Sequence, residues 1–416
     1  MYSIVIYSLN YAPELTGIGK YNCEMVRRLS ELGVSSRVIT APPYYPEWRH
    51  NEGYSYFWYT NEVAEDILLN RCPLYVPKKV TTIKRLLHLM SFAFSSGLKL
   101  LSLIFKKPDI VFLVQPTFFC APITLLYCKI TGAKSVMHIQ DYELDAMLGL
   151  GMGGSGKVTK VLKSVESWFL TRFDAVSTIS YSMLDRAKEK GVKESKLFFF
   201  PNWADTEFVT PQTCGLSFKK KLGYNSDDKI VLYAGNIGKK QGLEIVLQAA
   251  AHFKSSPNVK FLMVGAGAHV EELKNLAESL NLNNLRFLPL QEWEDVPAML
   301  AMTDVHLVVQ KKGAADAVLP SKLTNILAAG GNAIVTAEES TELGQIAKNY
   351  PGIYRLIEPE EVKLLVDAIN DMLSDKSDED FNKVARKYAE DNLNKHVIIK
   401  RFSEELNSRI LNCRAG

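Results

Sequence analysis

The chain has 416 residues, beyond the length at which a single hydrophobic core stops growing, so two domains of roughly 200 residues each are expected. Its composition is ordinary for a globular protein, 47% hydrophobic and 23% charged, and a net charge of +3 excludes a wholesale nucleic-acid binder. Cys23, Cys72, Cys120, Cys128, Cys214 and Cys413 form neither C-x-x-C pairs nor the framework of a small secreted domain. Reduced thiols in a cytoplasmic protein, with no disulfide and no zinc, are the expectation.

The first apolar run, SIVIYS, has no basic stretch before it and leads straight into Asn-Tyr-Ala-Pro, so it reads as a first strand and not as a signal peptide. Behind it, Gly17 and Gly19 open a helix whose Tyr21, Met25, Leu29 and Leu32 recur at helical spacing. A glycine turn between strand and helix commonly cradles phosphate on free amides. Here position 22 is Asn22, and the second strand, SSRVITA, ends without an acidic residue. The two marks of a dinucleotide site are therefore missing. Three further β-branched runs, DIVFLVQ, KSVMHIQ and DAVSTIS, alternate with amphipathic stretches, the grammar of a parallel sheet covered on both faces. At the end of KSVMHIQ, read as the fourth strand, Asp141 is placed at the carboxyl end, with His138 inside the strand and Glu143 just beyond. These are the candidates for proton transfer, although a lone strand histidine is more often a core residue.

Between the second and third of these strands, residues 78 to 107 hold seven Lys or Arg and no acid, around a Leu, Phe, Met and Ile middle. The charges make this a poor membrane span and a better interfacial helix, the plain alternative being a buried helix with solvated ends. Residues 206–228 lack periodicity and read as a linker between a first domain, 1–205, and a second, 229–385. Residues 386–416 are expected to form a C-terminal helix that packs back on the first domain.

The second set of strands is KIVLYAG, VKFLMVG, NLRFLPL, DVHLVVQ and NAIVTA. After the first of them, Gly235, Asn236, Lys239 and Lys240 lead to Gly242, which is read as a helix start, and Gly265 and Gly267 make a similar turn after the second. Later, Pro320 ends a loop and Ser321 takes an N-cap position, so that its hydroxyl, the first-turn amides and Lys322 converge on one electropositive volume. Each turn alone could be simple chain reversal. Four of them at strand carboxyl ends suit a diphosphate in the cleft of two facing, doubly wound α/β domains.

These motifs, P-E-x-x-G-x-G, Y-A-G-N-I-G-K-K-Q-G-L-E, V-G-A-G and L-P-S-K-L-T-N-I-L-A-A-G, resemble the GT-B glycosyltransferases of family 4. Within that family they are similar to the bacterial colanic-acid fucosyltransferase-like and L-fucosamine-transferase-like branch. The resemblance implies two Rossmann-like domains facing across a cleft, a nucleotide-diphosphate sugar as donor, retention of anomeric configuration, and no metal or cofactor. It implies transfer of L-FucNAc from UDP-L-FucNAc, or of fucose from GDP-fucose, to a polyprenyl-diphosphate-linked saccharide in O-antigen, capsule or exopolysaccharide synthesis. It also implies a place on the inner face of the cytoplasmic membrane, with residues 78–107 against anionic lipid. Carried over by position, Lys240 stands for the cation that neutralises the leaving diphosphate. Asn236 replaces the family's arginine, and the two motif glutamates fall on Ala317, beside Asp316, and on Asn325. Where the family often has a histidine before Asp141, this chain has Gln140. A GT-B nucleotide-sugar epimerase and a non-catalytic nucleotide-sugar-binding protein are the rival readings.

Overall fold

The structure is a computed structural model that describes residues 2–14, 17–45, 47–65, 67–142, 156–312, 320–375 and 380–411. It divides into two compact units, one formed by residues up to Pro201 with the C-terminal stretch from Ile398, the other by Asn202–Val397.

The first unit carries an eight-stranded sheet in the order β3-β4-β2-β1-β5-β6-β7-β8. Its strands are β1 Ser3–Tyr7, β2 Ser35–Thr40, β3 Thr60–Ala64, β4 Ile67–Arg71, β5 Ile110–Val114, β6 Lys134–Ile139, β7 Ala175–Thr178 and β8 Leu197–Phe199. All pairs are parallel except the edge pair β3 and β4. The central strand β5 is buried along its whole length, which is why it is written as an unbroken apolar run. The helices are α1 Gly17–Glu31, α2 Thr82–Ser102, α3 Ala121–Thr131, α4 Gly156–Leu170 and α5 Tyr181–Glu189. The hairpin of β3 and β4 and the short β8 went unread in the sequence, so the strand ending near Asp141 is the sixth and not the fourth. α2 runs alone through most of the basic segment and is buried along one face only, through His88, Leu89, Phe92 and Leu100, while Ile83, Leu87, Met90, Phe94 and Leu98 are exposed.

The second unit carries six strands in the order β11-β10-β9-β12-β13-β14, all parallel. These are β9 Lys229–Ala234, β10 Val259–Val264, β11 Leu285–Leu288, β12 Val305–Val308, β13 Ala333–Thr336 and β14 Arg355–Ile357. Its helices are α6 Leu216–Lys221, α7 Glu244–His252, α8 Val270–Ser279, α9 Val296–Ala301, α10 Ser321–Ala328, α11 Glu342–Asn349, α12 Val362–Ser374 and α13 Lys383–Asn392. Tyr233, Phe261, Met263 and Leu307 fill the core under α7 and α12.

Two boundaries differ from the sequence reading. Residues 206–228 are part of the second unit: Arg386 donates to the carbonyls of Thr206 and Val209. Phe218 of α6 packs with Ile230, Leu232 and Met299. The polar composition that suggested a linker belongs to the outer side of this layer. The return to the first unit begins at Ile398, inside α14 (Lys395–Glu405), where Phe402 stacks on Phe200 at 3.9 Å and 12°. α13 stays with the second unit.

Candidate functional site

In each sheet the strand order reverses once, between β1 and β5 and between β9 and β12, and ligands of doubly wound sheets bind at the carboxyl ends of those strands. Both places carry a glycine turn. Their chemistry is opposite.

After β1 the loop is filled by its own side chains. Glu14 is buried, and its carboxylate accepts from Asn10 Nδ2 at 2.8 Å and from the amides of Tyr44 and Tyr45 at 3.0 and 3.1 Å. Burial raises its pKa, against the pull of those hydrogen bonds and of Arg71. A Cβ on Gly19 would lie 2.9 Å from Glu14 Cβ and 3.1 Å from Oε2, so the glycine admits the carboxylate against the first turn of α1. Gly17, at φ +61, supplies the left-handed residue that starts the helix. Asn22, where a dinucleotide site would have its third glycine, is buried and donates to Ser8 Oγ at 2.7 Å and to the carbonyl of Asn10 at 3.0 Å. The turn expected to receive phosphate thus holds an internal carboxylate. Of Gly17 and Gly19, both expected as donor contacts, Gly19 borders that carboxylate.

His138 is corrected. It is fully enclosed, stacks on Phe112, and has both ring nitrogens engaged, Nδ1 with Ser177 Oγ and Nε2 with Gln140 Nε2, each at 2.9 Å. The Gln140 amide can only donate, so Nε2 accepts and Nδ1 carries the proton. Desolvation lowers the pKa to about 3, so the ring is neutral and has no free acceptor. Asp141, by contrast, is exposed just past the carboxyl end of β6. Glu143 lies outside the described residues. Gln115, at the end of β5, was missed by the sequence reading, yet its Oε1 is buried with no hydrogen-bond partner among the described residues. An isolated glutamine after an apolar run gives no signal for this.

After β9 the turn is cationic. Gly235 sits at φ +145, a conformation open to glycine, and a Cβ there would come within 3.3 Å of Lys322 Cε and Nζ. The Lys322 side chain therefore reaches from the first turn of α10 back to the end of β9. Its ammonium stands 3.9 Å from the centroid of Tyr233, whose hydroxyl donates to the carbonyl of Asn236 at 2.6 Å. Lys322 has no ion-pair partner among the described residues, and desolvation lowers its pKa to about 7. Asn325 is half-buried on α10, four residues beyond Ser321 and so on the same face. Pro320, not Ser321, is the N-cap residue, and Ser321 is the exposed first helical residue with no side-chain cap, which leaves its amide for a ligand.

Lys239, Lys240 and Gln241 form a single 3-10 turn, and α7 begins at Glu244 rather than at Gly242. Lys239 is drawn away to Glu272 at 2.9 Å. Lys240 is exposed and has no ion pair among the described residues, and its carbonyl accepts from the amide of Lys311 at 3.3 Å. Lys311, which follows β12, runs its side chain past Gly242 at φ +63, and its charge helps to lower the pKa of Glu244. It is a cation of this site that the sequence reading did not single out. Only the neighbouring positions of β9 and β12 bring it here. Gly265 has a structural reason for its identity, since a Cβ would fall 1.9 Å from the carbonyl oxygen of Gly235. Asp316 lies outside the described residues.

Residues 16–203 match the glycosyl transferase 4-like domain, and residues 217–391 match glycosyl transferases group 1. The chain is 49% identical over 408 residues to the putative colanic acid biosynthesis glycosyl transferase WcaI of Escherichia coli (strain K12), covering 97% of this chain and 99% of that protein. Among solved structures, sucrose-phosphate synthase from Thermosynechococcus elongatus superposes with a TM-score of 0.78 at 15% identity, covering all of both chains. The HepE protein of Anabaena, in complex with UDP and glucose, superposes with a TM-score of 0.69 at 14% identity over 98% of this chain and 100% of that one. The chain belongs to the group 1, type 4-like glycosyltransferases, with the two parallel-sheet α/β domains of the GT-B fold.

Proposed function

We propose that this glycosyltransferase takes a sugar from a nucleotide diphosphate, UDP-L-FucNAc or GDP-fucose, and transfers it with retention to a lipid-linked oligosaccharide in the synthesis of a surface polysaccharide. The observation that carries this reading is the cationic turn at the reversal point of the second sheet, where Lys322 stands against Gly235, Lys311 runs past Gly242, and Lys240 lies in the turn between the two glycines. A leaving diphosphate gathers negative charge as the glycosidic bond breaks, and preorganised ammonium groups and first-turn amides stabilise that charge where it develops. In this reading the lysines and the α10 amides neutralise it without a metal, and Asn325 hydrogen-bonds the ribose diol. Asp141 is assigned to the acceptor hydroxyl, whose proton can also pass to the leaving phosphate. The colanic-acid name of the relative from Escherichia coli and the UDP and glucose bound by the Anabaena protein support the pathway class and the donor class.

The lipid-linked acceptor fits α2. Its exposed Ile83, Leu87, Met90, Phe94 and Leu98 fall on one stripe, flanked by exposed Lys78, Lys79, Lys84, Arg85, Lys106 and Lys107. No helix among the described residues is long and apolar enough to cross a membrane. A one-sided basic, apolar helix of this kind lies in a lipid interface, so we place the enzyme peripherally on the inner leaflet of the cytoplasmic membrane.

The test is a donor panel followed by transfer. A bound donor at 100 times its dissociation constant adds about 2.7 kcal/mol to stability, which thermal unfolding detects. The donor so identified, incubated with a polyprenyl-diphosphate-linked saccharide, should give a product with the donor's anomeric configuration by NMR. Conversion of donor sugar without acceptor would favour an epimerase, and binding without turnover a regulatory protein. Asp141→Asn should keep donor binding and lose transfer; near-normal transfer would remove Asp141 from the mechanism.

A further inference from the structure

The membrane reading above rests on α2 alone, but α2 is not isolated. From β4 onward the chain crosses the first sheet in one direction, through β5, β6, β7 and β8. Right-handed crossovers therefore set α2, α3, α4 and α5 side by side on one face, with α1 on the other. The contacts agree. Gly97 of α2 is packed on Ile123 of α3, Phe118 before α3 meets Phe169 of α4 with ring centroids 5.9 Å apart, and Ser167 of α4 donates to the carbonyl of Lys190 after α5.

The outer side of this layer is apolar well beyond α2. Leu126 and Ile130 are exposed on α3, and Val161, Val165 and Trp168, at helical spacing, are 61%, 42% and 50% exposed on α4. Along α2, α3 and α4 its exposed charge has one sign. Between residues 78 and 140 the only acid is Asp109, which is bonded to the amide and hydroxyl of Ser3. α4 adds exposed Lys160 and Lys163, and its one acid, Glu166, is buried and paired with Lys190.

Beside Trp168 this surface opens into a hollow of about 600 Å³. Lys163, Arg172, Arg186 and Lys190 line it, with Glu189 as the one acid of the lining. The Arg172 guanidinium stands 3.5 Å from the Trp168 ring centroid, so the tryptophan joins the polar hollow to the apolar stripe. The hollow lies at the C-terminal ends of α4 and α5, which in a parallel layer is the edge opposite the carboxyl ends of the strands, away from Asp141. It belongs to no part of the transfer site.

We propose that α2, α3 and α4 form one lipid-facing surface, and that the hollow beside Trp168 seats the phosphate of an anionic phospholipid headgroup while the acyl chains lie on Val161, Val165 and Trp168. Tryptophan at the boundary of a polar and an apolar zone, with arginine on its face, suits the headgroup level of a bilayer. The occupant is a lipid and not a soluble anion because the basic hollow, larger than a phosphate alone would fill, continues into exposed apolar side chains. It is a lipid and not an acidic protein because the polar part is a small hollow rather than an extended charged strip.

The test is flotation of the full chain with vesicles of phosphatidylcholine alone or mixed with phosphatidylglycerol. The triple variant Lys163→Gln, Arg172→Gln, Arg186→Gln should lose on the order of a hundredfold in affinity for the phosphatidylglycerol vesicles, from about fivefold per surface cation. Trp168→Ala should lose affinity with its far-ultraviolet dichroism unchanged, and Trp168→Phe should restore part of it. Parental flotation by both the triple variant and Trp168→Ala overturns the headgroup site. If a Lys84→Gln, Arg85→Gln variant meanwhile detaches, the membrane reading of α2 survives; if the parent ignores phosphatidylglycerol, both fall. Two other results also overturn the proposal: inorganic phosphate binding lost in the triple variant with flotation retained, and a parental dimer that Trp168→Ala dissociates.

Discussion

The turns after β1 and after β9 begin alike, each a buried strand, a glycine loop and a helix, and they end with opposite charge. In the first, Glu14 and Asn22 fill the loop from within. In the second, a lysine from α10 and another following β12 reach the turn, and at Gly235 the ammonium of Lys322 stands over an aromatic ring, with no ion-pair partner among the described residues. A strand-glycine-helix turn is thus a geometric device whose ligand is chosen by the side chains that converge on it. The anion of the first turn is covalently part of the chain. That of the second has to come from outside.

The largest expected effect tests the second turn. Lys322→Ala should lower turnover by roughly 10² to 10³ with the fold intact, the range for removing a preorganised group from developing charge. Lys240→Ala should cost less, because its ammonium is exposed. Unchanged turnover in a folded Lys322 variant would move the diphosphate elsewhere.

The same lysine should report its ligand through protons. Its pKa is depressed to about 7, below the ordinary lysine value. Below pH 7 the folded protein therefore bears the cost of a desolvated charge, and from this group stability rises as pH passes 7 toward the unfolded-state value. At pH 8 the free amine is mostly neutral, and an arriving diphosphate restores the ammonium. Calorimetry in buffers of different ionisation enthalpy should find uptake approaching one proton at pH 8 and much less at pH 6; equal uptake at both would separate Lys322 from the donor.

For the first turn the expected effect is on stability. Gly19→Ala places a methyl 2.9 Å from Glu14 Cβ, and overpacking of this kind costs roughly 1 to 3 kcal/mol. The melting temperature should fall while donor affinity holds. A drop in donor affinity at unchanged melting temperature would return Gly19 to the donor site and erase the contrast between the turns. The smallest effect is assigned to Lys239→Ala. Its partner is the exposed Glu272, so the melting temperature should stay within experimental error of the parent and turnover should not move.

Much of the scaffold was legible because strands and helices announce themselves through local periodicity. Ten of the strand runs, the glycine turns and the one-signed charge of residues 78–107 were read directly. The three-residue β8 and β14 were not, since so short a run carries no period, and neither was the hairpin of the polar edge strand β3 and of β4, whose apolar run breaks off after Ile67, Leu68 and Leu69. Reading residues 206–228 as a linker failed for a related reason: one short helix contributes few buried positions, and Arg386, which holds the segment in place, lies far along the chain.

The sequence by itself determined the alternation of strand and helix, the two parallel sheets, the places where glycine turns occur and the absence of acids along α2. The tertiary structure decided what each turn is for. It enclosed His138 between Phe112 and Ser177, turned Glu14 into its own loop, sent Lys239 to Glu272, and brought Lys311 and Lys322 to the end of β9. The reason is range. Propensity and periodicity act over a few residues, whereas burial and electrostatic partnership are properties of segments that only the folded sheet order makes neighbours.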